Sequence, residues 1–219
     1  MKKFVHVPFP QQTELLAEES SGTRSYRVPS GELYPSVTTV TGFEKRQFFA
    51  DWRKNNPERA EKAVKRGTNF HKIIEDYLNN SPVDKKGYGY IEVTLFDQII
   101  PELNKIDYIR CQEVSLWSSQ LKLAGRVDCI AEYDGQLSVI DFKTASREKF
   151  YSDIKEYFMQ ATAYAIMCKE RTGITINNIA ILMSCEDGTV NVFQENPMDH
   201  VKNLYEAIKK YEREMLSNR

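Results

Sequence analysis

Residues 121–144 contain two apolar runs on either side of Asp134-Gly135, and this pattern predicts a β-hairpin. Asp-Gly favours a two-residue type I′ turn, because both central residues of that turn need a positive φ. The turn determines the register: facing residues have numbers that sum to 269, as 134 and 135 do, so Asp128 faces Asp141. Because side chains alternate with period two, Arg126 and Lys143 are expected on the face of the two aspartates.

The two facing aspartates create an electrostatic conflict in this hairpin. Opposed carboxylates in an antiparallel pair repel each other, and the neighbouring residues 129–130 and 139–140 are apolar, so the pair is expected to be buried. Such carboxylates share a proton or hold a cation, and their oxygens suit Mg²⁺ or Mn²⁺. With the ammonium of Lys143 nearby, the face has the groups for metal-assisted phosphodiester hydrolysis. A bulge near Gly125 or Glu132 would instead place the aspartates on opposite faces.

Helical and strand-like patterns alternate along the rest of the chain and predict an α/β fold. Asn56-Pro57 marks the start of one helix, and Gly173 marks the end of another. After a small N-terminal hairpin, a strand or extended piece is expected through Val37 and Val40. The predicted elements are a hairpin in 24–40, helices at 44–54, 57–78, 93–104, 152–171 and 196–216, a loop at 80–91, and strands at 108–117, 179–184 and 190–193.

Composition and charge exclude several classes of protein. A hydrophobic fraction of 41% can form a core, whereas a membrane span needs an apolar run of about 18 residues, which is absent. The N-terminal residues lack the pattern of a signal peptide, so an intracellular protein is expected, in a bacterial or phage-infected cytoplasm or an organelle matrix. The net charge of −1 disfavours a general DNA coat protein but allows an enzyme with a basic groove. The four cysteines have no zinc-site spacing, and buried reduced thiols are expected.

The helix predicted at 57–78 carries Gly67, His71, Ile74 and Leu78 on one face. On such an apolar stripe a single histidine is more often a packed core residue than a metal ligand. The residue pattern alone therefore leaves both interpretations of His71 open. Glu75, one turn further, either supports His71 or lies on a solvated face.

Residues 45–66 combine eight cationic side chains with Phe48, Phe49 and Trp52. Such a segment is either an amphipathic helix with solvated cations or part of a channel for a single strand. In a channel of this kind, bases stack on aromatic rings and phosphates meet cations.

Four short motifs occur in an order known from one enzyme superfamily. They are GTNFH at Gly67–His71, GRVD at Gly125–Asp128, DFK at Asp141–Lys143 and QATAY at Gln160–Tyr164. Each motif alone is weak. Together, over about residues 24–195, they resemble the PD-(D/E)xK nucleases, in particular the RecB-like branch with its GxxxH and QxxxY motifs and its phage exonucleases.

The resemblance implies a restriction-endonuclease-like core, in which helices flank a central mixed β-sheet, with an N-terminal addition of a hairpin and helices. It implies one nuclease domain over residues 1–219. The expected segments are an irregular stretch at 1–23, the hairpin and helices at 24–92, the catalytic core at 93–195 and a C-terminal helix at 196–219.

The resemblance also implies a metal site and a catalytic lysine. Asp128, Asp141 and the backbone carbonyl of Phe142 are expected to hold Mg²⁺ or Mn²⁺, and His71 to reach a second metal position. Lys143 is expected to orient the attacking water or to stabilise charge in the transition state.

Substrate contacts are expected from the C-terminal half of the chain. The resemblance implies that Gln160 and Tyr164, one helical turn apart, contact the nucleic-acid backbone, and the predicted register adds Arg126 as a phosphate contact. Family members often have an acidic residue near the position of Glu113, but its role stays open, as does that of Glu75.

These expectations predict a metal-dependent exonuclease that acts on single-stranded DNA with a free end, in DNA replication, repair or recombination. One alternative is an endonuclease or flap nuclease on the same fold, and another is a non-catalytic nucleic-acid-binding module. The motifs do not determine cleavage polarity or oligomeric state. They also leave open whether replication or recombination proteins act alongside.

Overall fold

The computed structural model describes residues 2–20 and 23–217. Residues 1, 21–22 and 218–219 lie outside the described residues. The expected irregular segment at 1–23 and the expected C-terminal helix at 196–219 each fall partly on them. In the described residues, a five-stranded sheet lies between two layers of helices, and a three-stranded sheet is added near the N-terminus. No helix in this part of the chain combines the length and apolar character needed to cross a membrane.

The N-terminal sheet consists of β1 (Ala17–Ser20), β2 (Thr23–Arg27) and β3 (Leu33–Pro35), all antiparallel. The hairpin in 24–40 is confirmed as β2 and β3. The prediction of an irregular segment through residue 23 is wrong, because β1 pairs with β2 although its polar sequence carries no strand signal. The extended piece expected through Val40 is instead a short helix, α1 (Val37–Thr41), which the hydroxyl of Ser36 caps by accepting the Thr39 N–H.

Three helices follow, namely α2 (Arg46–Asn55), α3 (Pro57–Leu78) and α4 (Tyr90–Leu103). The bounds of α3 agree with the prediction. However, the Asn56 amide donates to the carbonyl of Trp52 and so closes α2 rather than capping α3. Helix α4 begins at Tyr90, within the stretch expected to be a loop.

The central sheet has the strand order β4 (Ile106–Ser118), β5 (Leu123–Tyr133), β6 (Gln136–Ala145), β7 (Asn178–Cys185) and β8 (Val190–Glu195). Only β6 and β7 run parallel, so the sheet is mixed as expected. The hairpin of β5 and β6 is confirmed: Asp134 and Gly135 have φ values of 50° and 79°. Its register also agrees, because Cys129 pairs with Ile140.

Helices cover both faces of this sheet. On one face α3 and α4 pack against apolar residues of the central strands, including Phe142. On the other face lie α1, α5 (Lys155–Thr172) and α6 (Val201–Ser217). Helix α5 begins at Lys155, and neither Ser152 nor Asp153 caps it, contrary to the prediction. The predicted stop at Gly173 is confirmed, because this residue follows the helix with φ 76°. The four cysteines are buried and free.

Candidate active site

Strands β4 and β5 both change facing between the pairs Gln112–Cys129 and Val114–Val127, where Glu113 and Asp128 lie. Cys111 and Val114 are three residues apart, yet both pack toward α5, as do their partners on β5. In a regular strand, residues three apart point to opposite faces. Glu113 has φ 51°, a left-handed backbone conformation that accompanies this change. The side chains of Glu113 and Asp128 therefore both depart from the regular alternation of facing along their strands.

Helix α3 brings His71 to these carboxylates. The Nδ1 atom of His71 lies 3.6 Å from Oδ2 of Asp128 and 3.8 Å from Oε1 of Glu113. One ligand atom from each of the three residues lies within 4.8 Å of the others. Imidazole and carboxylate donors suit divalent cations, so the donor set fits the metal that the family resemblance implies.

The protonation of His71 reflects the negative charge around it. Although burial lowers it, the charge of Asp128 and the contact with Glu113 raise the pKa of His71 to about 8. An imidazole must be neutral to bind a metal, so a cation at this position would replace a proton.

Asp141 and Lys143 form a buried ion pair beside this cluster. The ammonium nitrogen of Lys143 lies 2.6 Å from each carboxylate oxygen, and the amide of Gln160 donates to Oδ1 at 3.2 Å. Burial, opposed by the charge of Lys143, raises the pKa of Asp141 to about 6. Its Oδ2 is buried and contacts the Lys143 ammonium outside hydrogen-bond geometry, so a metal at this oxygen would compete with that contact.

The ladder between β5 and β6 ends at Cys129 and Ile140, one pair before the two aspartates. Oδ2 of Asp128 accepts the Phe142 N–H at 2.9 Å, so a side chain replaces the next backbone bond. Burial and, to a smaller extent, the negative charge of Asp128 raise the pKa of Asp141, against the charge of Lys143. Metal binding by Asp141 and by the Phe142 carbonyl stays a prediction.

The remaining predicted residues surround one cavity of about 580 Å³. Gln160 and Tyr164 line it from α5 and are buried. Gly125 is needed here, because a Cβ at that position would lie 2.7 Å from the hydroxyl of Tyr164. Arg126 lines the cavity and forms an ion pair with Glu14 of the N-terminal segment. Glu75 lies outside the cluster and contacts Lys72 at 3.1 Å.

A second cavity of about 820 Å³ continues from the first, and the two share Thr38, Lys143 and Gln160. Arg46, Phe49 and Arg53 of α2 line it, together with other side chains of α1, α5 and α6. We call it the cation–aromatic groove. It contains part of the segment that the sequence suggested as a single-strand channel.

Helix α2 separates this groove from a third cavity of about 830 Å³. Trp52 lines the third cavity, with four cationic side chains at Arg59, Lys62, Lys65 and Arg66 of α3. No residue of α2 is buried, and Phe48 is 66% exposed. The rings of Phe48 and Phe49 are therefore available to a ligand, whereas three cations of the segment form ion pairs, at Lys45, Arg46 and Arg66.

Glu113 is the site residue that the sequence did not assign. It converges with His71 and Asp128, whereas Asp141 is held by Lys143 and Gln160. A signal for it exists in β4: the apolar positions Cys111, Val114 and Leu116 are spaced by three and then two, which breaks the alternation at residues 112–113.

Comparisons with known proteins concern the family of the chain rather than its individual site residues. Residues 90–214 match the family model of the PD-(D/E)XK nuclease superfamily. Mitochondrial genome maintenance exonuclease 1 of Mus musculus is 32% identical over 83 residues, which are 38% of this chain and 25% of that protein. The Xenopus tropicalis protein of the same name is 30% identical over 128 residues, 56% of this chain and 36% of that protein. The Homo sapiens protein is 27% identical over 100 residues, 45% and 29% of the two chains. The chain thus spans between 25% and 36% of these relatives.

Proposed function

Because the chain belongs to the PD-(D/E)XK nuclease superfamily, we propose that it is a metal-dependent exonuclease that hydrolyses single-stranded DNA from a free end. Its mixed sheet flanked by helices is the restriction-endonuclease-like arrangement expected from the sequence. The observation that carries the proposal is the convergence of His71, Glu113 and Asp128 beside the Asp141–Lys143 pair. The relatives named as genome maintenance exonucleases support a role in DNA replication, repair or recombination.

The metal in this proposal is Mg²⁺ or Mn²⁺, held by His71, Glu113 and Asp128, with Asp141 and the Phe142 carbonyl as further ligands. Carboxylate and carbonyl oxygens are preferred ligands of both ions. A bound divalent ion supplies Lewis-acid stabilisation of the negative charge that develops on the scissile phosphate and acidifies water.

Lys143 acts as a cation rather than as a base. Burial opposes its charge, but the carboxylates of Asp141 and Asp128 raise the pKa of the ammonium above its usual value. The ring of Tyr157 lies 5.0 Å from the same nitrogen and favours the charged form. Lys143 therefore donates hydrogen bonds to the phosphate oxygens as negative charge develops on them.

Gln160, Tyr164 and Arg126 bind the phosphate group that neighbours the scissile phosphate. Gln160 already donates to Asp141, so it links the position of the strand to that of the carboxylate. Arg126 can exchange its contact with Glu14 for a phosphate oxygen, because both side chains lie at the exposed rim of the cavity. Arginine is well suited to this role, since its guanidinium forms paired hydrogen bonds with phosphate.

The cation–aromatic groove is the proposed path of the single strand. Its lining contains Phe49, Arg46 and Arg53 together with two active-site residues, Lys143 and Gln160. Exposed rings that stack bases and cations that meet phosphates bind single strands without sequence preference. This groove favours a flexible strand as the substrate.

Digestion of end-labelled and circular DNA tests the proposal. We expect linear single-stranded DNA to be degraded with Mg²⁺ or Mn²⁺ and not with EDTA, and circular single strands to persist because they have no end. Asp141→Asn and Lys143→Ala should abolish degradation while retaining the circular dichroism spectrum of the parent. Parental rates in both variants would contradict the assignment of the site, and cleavage of circles would make the protein an endonuclease.

A further inference from the structure

A fourth cavity of about 660 Å³ adjoins the cation–aromatic groove on the side away from the active site. It lies between α5, α6 and the turn that follows α1. The two cavities share Thr41, Lys45 and Glu156, so they form one continuous depression. We call the fourth cavity the distal groove.

The distal groove is lined by five cationic side chains and three carboxylates. Two of the cations are paired, Lys45 with Glu156 at 2.6 Å and Lys210 with Glu44 at 2.7 Å. The other three are Lys155, Lys209 and Arg213. These three are exposed, and none forms an ion pair with another described residue.

Two features of the lining limit what can bind there. The three unpaired cations lie on two packed helices, so one ligand can contact all of them only if it is extended and anionic. The lining contains no aromatic side chain and has only Met159 and Ala207 as apolar residues. It therefore offers charge for phosphates but no surface for stacked bases.

We propose that the distal groove binds the sugar–phosphate backbone of single-stranded DNA beyond the nucleotides that occupy the cation–aromatic groove. This inference rests on the proposed function and extends the strand past the active site. Contacts of this kind carry no sequence information, and they add affinity that depends on salt and on strand length.

The test is the affinity of a triple variant, Lys155→Gln, Lys209→Gln and Arg213→Gln, for labelled oligonucleotides in EDTA. Each lost contact to a single strand lowers the salt slope by about 0.7, so three contacts change the slope by about 2 and the affinity at about 0.1 M salt by about a hundredfold. A strand of about 16 nucleotides should show this loss, whereas one of about 4 nucleotides should bind the variant and the parent equally.

A second triple variant controls for net charge. Lys3, Lys86 and Lys169 are changed to Gln, which removes the same charge from exposed positions that line none of the cavities described above. We expect it to keep the parental salt slope. An unchanged slope in the distal-groove variant, or an equal loss in the control, would overturn the inference while leaving the proposed activity intact. A parent that binds the longer strand but does not hydrolyse it would refute the activity alone, and one that binds no strand would overturn both.

Discussion

Lys143→Met removes the ammonium that lies 2.6 Å from both oxygens of the buried Asp141 carboxylate. Asp141 is only 2% exposed, and even beside Lys143 its pKa is raised from 3.8 to about 6. Without the cation the carboxyl should hold its proton to a still higher pH. The variant therefore loses the part of the folding stability that comes from ionised Asp141.

The size of the expected stability difference follows from the pKa of Asp141 in the folded parent. One pKa unit corresponds to about 1.4 kcal/mol, so at about pH 7 ionisation of a carboxyl with a pKa of about 6 stabilises the folded parent by about 1.4 kcal/mol. Because the folded pKa exceeds the unfolded one, Asp141 contributes stability at low pH that is lost as the pH rises. In the parent this loss of unfolding free energy ends above about pH 6, because Asp141 then ionises in the folded state as well. In the variant Asp141 stays protonated, so the loss continues as the pH rises.

The assay is urea denaturation of the metal-free protein in EDTA, followed by circular dichroism. The difference in unfolding free energy between parent and variant should grow by about 1.4 kcal/mol from about pH 5 to about pH 7. Lys72→Met is the matched control, because Lys72 is 53% exposed and its partners Glu75 and Asp76 are 30% and 29% exposed, whereas Asp141 is buried. A difference that stays constant with pH in the Lys143 variant would refute the coupling of Asp141 to Lys143.

Three further substitutions test the site. His71→Ala should lower activity or change the preference between Mg²⁺ and Mn²⁺, and an unaltered metal response would return His71 to a packing role. Glu113→Gln should raise the Mg²⁺ concentration needed for half-maximal activity, with Glu75→Gln as a control that leaves it unchanged; equal responses would exclude Glu113 as a ligand. Gly125→Ala should cost about 1–3 kcal/mol of stability by overpacking against Tyr164, and Tyr164→Phe should recover part of that loss. Urea denaturation of the single and double variants measures the recovery, and no recovery would place the strain elsewhere.

Much of the central hairpin follows from interactions between residues close in the chain. The Asp134-Gly135 turn determined the register that brings Cys129 opposite Ile140, because only a few residues can adopt its backbone conformation. The bounds of α3 were also predictable, since proline at its first position and the apolar stripe are local signals. The register of the hairpin as far as Cys129 and Ile140 therefore followed from the sequence, whereas the separate contacts of Asp128 and Asp141 did not.

Elements without a local signal were not predictable. The polar residues of β1 form a strand only because they pair with the backbone of β2. Val37–Thr41 becomes helical because Ser36 caps it within the packed N-terminal layer. The role of Glu113 was missed for a similar reason. Strict alternation along β4 does not account for a residue with φ 51°.

The sequence by itself determined the type of chemistry, because the acidic and basic side chains and the turn between them are encoded within about 25 residues. Only the tertiary structure decided which carboxylates meet His71 and which is paired with Lys143. That choice depends on how α3 packs against the sheet and on where two neighbouring strands change facing together. Both are set by contacts between residues far apart in the chain, which a local pattern does not contain.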